Sequence, residues 1–157
     1  MMFRHSHLAP TWVALAFILL GLGVLPAKSG EFQAGSIKVS DPWVRETPIG
    51  GRSGGGYMRI TNAGDQADRL IKVESAVANR IEVREVVETG GGVQMRALPN
   101  GLEIPPGTTY LRWESYHLLF ADLKEPFKPD QPFEALLHFK KAGAVAVQFH
   151  IRPRMHW

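Results

Sequence analysis

Two stretches decide the fold: Phe133-Glu134-Ala135-Leu136-Leu137-His138-Phe139-Lys140 and Val145-Ala146-Val147-Gln148-Phe149-His150-Ile151-Arg152. In the first, Phe133, Ala135, Leu137 and Phe139 alternate with Glu134, Leu136, His138 and Lys140. In the second, Val145, Val147, Phe149 and Ile151 alternate with Ala146, Gln148, His150 and Arg152. Neighbouring side chains of a strand point to opposite faces, so a period of two gathers each apolar set on one face. That is the pattern of half-buried antiparallel strands. Ala142-Gly143 between them supplies the turn.

Moving outward, the rest of the chain repeats this style. Short β-branched and aromatic segments predict strands at Ile37–Val39, Trp43–Glu46, Gly56–Asn62, Arg69–Glu74, Arg80–Glu88, Val93–Leu98, Thr109–Trp113 and His117–Leu123. Between them stand Asn62-Ala63-Gly64-Asp65, Gly90-Gly91-Gly92, Pro99-Asn100-Gly101 and Pro105-Pro106-Gly107. No stretch keeps helical periodicity, and turns recur about every ten residues, the spacing of an all-β sandwich or barrel. The run Gly50-Gly51-Arg52-Ser53-Gly54-Gly55-Gly56 reads as a mobile loop. It opens a strand rather than a helix, so no helix N-terminus is there to receive a phosphate.

The first part of the chain has another character. Val13 to Leu25 is an uninterrupted apolar run behind Arg4, with Ala27, Ser29 and Gly30 following. At 1.5 Å per residue, such a run falls short of a bilayer core of ~30 Å but suits the apolar region of a secretory signal peptide. The expected organisation is a signal peptide over 1–29, a linker over 30–36, one β-domain over 37–152 and a tail over 153–157. An exported, periplasmic location follows, with no membrane attachment after cleavage. The chain has no cysteine, which removes lipid anchoring through that residue, disulfides, thiolate metal sites and thiol catalysis.

Loss of Arg4 and Lys28 with the leader leaves 16 basic residues against 15 acidic ones. That balance gives no electrostatic case for nucleic acid or anionic lipid. Nor does an enzyme declare itself. Ser36, Ser40, Ser53, Ser75 and Ser115 lie in no nucleophile-elbow context, and Glu82, Glu85 and Glu88 read as solvated edge charges. Soft-metal chemistry is left to thioether and imidazole, a set that suits Cu(I). The expected mature chain offers Met58, Met95, Met155, His117, His138, His150 and His156. Met58 sits in an apolar strand and reads as packing. His138 and His150 fall on polar faces and read as exposed.

From Asp41-Pro42-Trp43 through Gly56-Tyr57-Met58 and His117-Leu118-Leu119-Phe120 to Lys140-Lys141-Ala142-Gly143, the order of segments resembles the periplasmic copper chaperones of the PCu(A)C family. Asp41-Pro42-Trp43-Val44-Arg45-Glu46-Thr47-Pro48, Gly56-Tyr57-Met58-Arg59-Ile60-Thr61-Asn62 and Ala67-Asp68-Arg69-Leu70 are similar to its early blocks. Val93-Gln94-Met95-Arg96, Ile104-Pro105-Pro106-Gly107, His117-Leu118-Leu119-Phe120 and Phe139-Lys140-Lys141-Ala142-Gly143-Ala144-Val145 follow in the family's order. The resemblance spans about Ile37 to Ile151. It implies a cupredoxin-like Greek-key β-sandwich that holds Cu(I) for a cuproenzyme such as cytochrome oxidase. A cuproprotein or another copper chaperone is the implied partner, and the protein is expected to be a monomer and not an enzyme.

The family's signature is a His, a Met after ten intervening residues, a His after twenty-one more, and a Met two positions on. These positions fall here on Arg84, Met95, His117 and Leu119. Two ligands, Met95 and His117, match; Arg84 and Leu119 are substitutions. A guanidinium has no lone pair to offer, and Leu119 keeps a methionine's bulk without its sulfur. His150, Met155 and His156 are the candidate auxiliary ligands. The alternative is a copper-independent binding or scaffold domain of the same fold, with Arg84 facing an anion or a partner's carboxylate.

Overall fold

The structure, a computed structural model, describes residues 31–154. The expected signal peptide and the candidate ligands Met155 and His156 lie outside them. Eleven strands and no helix make up the described chain: β1 (Glu31–Ala34), β2 (Ile37–Arg45), β3 (Ser53–Asn62), β4 (Asp68–Glu74), β5 (Ala78–Thr89), β6 (Gly92–Ala97), β7 (Leu102–Ile104), β8 (Gly107–Leu111), β9 (Tyr116–Leu123), β10 (Phe133–Phe139) and β11 (Gly143–Arg152). The all-β sandwich read from the sequence is therefore the fold.

Hydrogen bonding runs in the order β6-β5-β9-β8-β3-β2-β11-β10-β4-β7, with β1 on β2. The seam is β11. Its residues 143–149 pair antiparallel with β10, while His150, Ile151 and Arg152 pair parallel with Trp43, Val44 and Arg45 of β2. One strand thus belongs to both layers, the small one of β10, β4 and β7 and the large one of the remaining strands.

Alternation accounts for what lies between the layers. Leu70 and Val73 of β4, Ala135, Leu137 and Phe139 of β10, and Val145, Val147 and Phe149 of β11 are all buried. They meet Val39, Val44, Met58, Ile60, Val83, Leu118 and Phe120 from the large layer in one apolar cluster. At its centre Phe127, Phe133 and Phe149 are stacked in succession, with ring centroids 5.0 and 5.3 Å apart. Phe120 stands edge-on to all three at 5.5–5.7 Å, the geometry that ring quadrupoles favour. Met58 is buried in the core, as its context predicts.

Four expectations change. Residues 31–34, read as linker, form β1, which folds back on β2 at Gly35, whose φ of +54° suits a residue without Cβ. Residues 37–45 are one strand, not two. The break read at Pro42 is a bulge between Ser40 and Trp43, with Asp41 at φ 51°. Leu102–Ile104, framed by glycine and prolines, forms a short strand on β4. Gly54 and Gly55, read as mobile loop, lie with Gly56 inside β3 and pair with β9, so the strand expected from Gly56 begins earlier, at Ser53. A Cβ would sit 2.7 Å from the Phe127 ring at Gly54 and 2.6 Å from the Phe120 ring at Gly56. Glycine is there because aromatic rings lie flush on the backbone.

Candidate metal site

The candidate residues lie on the face of the large layer turned away from the core. Val83 and Leu118 are a cross-strand pair pointing inward, so the adjoining pair Arg84 and His117 points outward. Glu82 faces Leu119 in the next outward pair. On the other side of β5, Arg84 faces Ala97 and Val86 faces Met95. Partners across antiparallel strands share a face, so Arg84, Met95, His117 and Leu119 all project from the same side. The four motif positions are thus gathered on three adjacent strands.

Their environments differ. His117 is only 5% exposed, although it is on the outward face. Its Nδ1 is fully buried and has no hydrogen-bond partner. Burial pushes its pKa below the ordinary 6.5; the backbone of Ser115 opposes the fall, and the nearby Arg84 charge adds to it. Burial thus favours the neutral imidazole, the form in which one ring nitrogen carries a lone pair. Met95, by contrast, is 60% exposed on the edge strand β6. Two strand spacings separate β6 from β9, about 10 Å between backbones. The thioether is separated from His117 by the width of β5, on which Val86 is its direct partner and Arg84 that of His117.

Arg84 is not a free cation. Its Nε and Nη2 both donate to Glu82 Oε2 at 2.9 Å, and Arg80 donates to Glu82 Oε1 at 2.8 Å. The hydrogen bond from Arg84 is the main reason the Glu82 carboxyl titrates below its usual range. This corrects the reading of Glu82 and Glu85 as solvated edge charges. The strand β5 is flanked on both sides, and Glu85 is tied to Arg96. The repulsion Arg84 would exert on a cation is offset by a carboxylate that faces the Leu119 position directly. Arg80, Glu82 and Arg84 stand at i, i+2 and i+4, a spacing that shares one strand face; the sequence carries that signal.

The remaining candidates lie elsewhere. His150 is exposed and faces Trp43 on β2, three strands from β9, about 14 Å across the sheet. The structure does not bring it to His117. His138, expected to be exposed, is half-buried and bonded to Glu74 at 2.7 Å. Among the described residues no three His, Asp or Glu side chains converge to hold a metal, so any site at His117 needs thioether or outside donors. Tyr57 was missed by sequence reasoning. Gly56 faces Leu118, which sets Tyr57 on the outward face next to His117. Its ring tilts on Trp43 at 4.6 Å, and its hydroxyl covers Gly55.

The described residues form an eleven-strand sandwich, and this is the fold of solved PCuAC domains. The chain matches the family model LpqE-like, described as "Putative lipoprotein LpqE-like", over residues 37–151. It belongs to that family. Among solved structures it is similar to a copper-bound PCuAC domain from PmoF2, with 24% identity over 79% of this chain and 98% of that one, at a TM-score of 0.67. The apo PmoF2 PCuAC domain is 25% identical over 81% and 99% of the two chains, at 0.65. The solution structure of CuI-DR1885 from Deinococcus radiodurans is 23% identical over 80% and 83%, at 0.61. No curated protein matches the sequence. Among the described residues no helix is long and apolar enough to cross a membrane.

Proposed function

We propose that this chain is an exported copper-holding protein of chaperone type, with His117 as its anchoring donor and Met95 as the second. The observation that carries this reading is the buried His117 ring, whose Nδ1 makes no well-formed hydrogen bond within the described chain. A buried unpaired polar atom costs about 1–3 kcal/mol, and a bound cation would recover that cost. Copper named in two similar structures supports the choice of ion, and Cu(I) tolerates the low coordination number that two donors impose. The periplasm is the compartment proposed, and delivery to a cuproenzyme such as cytochrome oxidase is the proposed role. The family's description as lipoprotein fits export, though this chain holds no cysteine to acylate.

A second reading has its own support. The Arg84–Glu82 pair stands directly beside His117 and Leu119, where the family signature has His and Met. A copper-independent scaffold domain would keep such a pair for packing. Competition titration of Cu(I) against a chromogenic chelator separates the two. The copper reading expects binding tighter than micromolar that His117→Ala abolishes and Met95→Ala weakens about tenfold or more. Binding that appears only in the Arg84→His/Leu119→Met double variant gives the scaffold reading instead.

A further inference from the structure

One strand over from His117, on the same outward face, is a shallow depression lined by Asp41, Trp43, Met58, Arg59, Tyr110 and Arg112. Arg59 faces Tyr110 across β3 and β8, and the Arg112 guanidinium lies over the Tyr110 ring at 4.2 Å. Most cations elsewhere on this face are already matched. Arg152 holds both oxygens of Asp41 at 2.8 Å, Arg80 and Arg84 share Glu82, and Lys38 pairs with Glu31. Among the described residues no carboxylate reaches Arg59 or Arg112, and Asp41, the acid nearest to hand, is spent on Arg152.

Packed rings border the depression. Arg152 stacks on Trp43 at 4.5 Å, and Trp43 packs on Tyr57 at 4.6 Å. Exposed guanidiniums beside fixed aromatic rings, with Tyr110 44% exposed, have the composition of the energetic centre of a protein interface. Desolvating a guanidinium is favourable only against a group that matches its fork, and a carboxylate does so with two parallel hydrogen bonds. We infer that the Arg59–Arg112–Tyr110 depression is a docking surface for a partner protein that presents an acidic segment, and that it seats the partner beside His117. Asp41 and Glu82 interrupt the positive charge along the sheet, which disfavours the continuous phosphate backbone of nucleic acid or an anionic membrane. The inference stands without copper, because it uses none of the candidate ligands.

The test uses the full chain and a fluorescent decapeptide of alternating glutamate and tyrosine, followed by anisotropy at low and physiological salt. Single-stranded DNA of matched charge and phosphatidylglycerol vesicles are the competing probes. Saturable peptide binding is expected that weakens with salt and falls about tenfold in the Arg59→Ser/Arg112→Ser variant. Arg112→Glu alone, at an exposed position, should weaken it similarly, whereas Lys140→Ser on the other layer should leave it unchanged. Equal urea midpoints for parent and variants exclude a folding effect. The inference is overturned by absent peptide binding, by equal affinity in both arginine variants, or by tighter binding of DNA or vesicles than of peptide.

Discussion

Asp68 shows how much one buried side chain can organise. Its Oδ1 accepts the backbone N–H groups of Arg69 at 2.7 Å and Lys141 at 2.8 Å, and its Oδ2 accepts that of Ala142 at 2.9 Å. A single carboxylate so ties the start of β4 to the β10–β11 turn. Burial works to raise its pKa, but the three N–H donors win and hold it below the ordinary 3.8. A carboxyl depressed by folding contributes stability above its unfolded value and loses that contribution as pH falls through the folded one. Asp68→Asn keeps one acceptor but turns an amide N–H toward Ala142. It should cost about 1–3 kcal/mol at neutral pH in urea unfolding. The difference from the parent should narrow as pH falls below 3.8 and the parent's carboxyl takes up its proton; a gap constant with pH would refute the assignment. Arg84 teaches the opposite lesson about legibility. Its inability to ligate is a property of its chemistry and was readable at once. Its neutralisation by Glu82 depends on which face of β5 the two share.

Among the elements, β3 carries the least expected design. Gly54 and Gly55 suggested a loop because glycine in an isolated sequence signals flexibility; in the fold they are paired residues inside a strand. The rings of Phe120 and Phe127, which leave no room for a Cβ at Gly56 and Gly54, come from positions more than sixty residues away, so no local pattern could announce it. Gly56→Ala would drive a Cβ into Phe120 at 2.6 Å and should destabilise by about 1–3 kcal/mol. Gly90→Ala, in the β5–β6 turn with nothing within 4 Å, should shift stability by less than about 0.5 kcal/mol. Urea midpoints of the two variants check this, and equal effects would contradict the ring-contact account. The hairpins were easier to read. The strands β10 and β11 keep strict alternation on one face, and alternation is a local signal.

For the whole molecule, the class of fold was visible because half-buried strands and regularly spaced turns are written in short stretches. The pairing order was not, since it joins residues far apart in sequence. The candidate site divides in the same way. The positions of His117 and Met95 could be marked by spacing, but the burial of one and the exposure of the other emerge only when β6 becomes an edge and β9 an interior strand. The four-ring cluster of Phe120, Phe127, Phe133 and Phe149 is where the two layers agree. Phe149→Ala should cost about 3–5 kcal/mol in urea unfolding. A loss under about 1 kcal/mol would mean the layers hold together without it.

Because β11 is bonded to β10 along most of its length and to β2 only through its last three residues, the two attachments face a pulling force differently. Tension applied at Arg152 along the strand would load the short parallel bonds to β2 in shear, all at once. The same tension turned sideways would open the β10 ladder one rung at a time. A single strand therefore gives the domain a mechanically strong direction and a weak one.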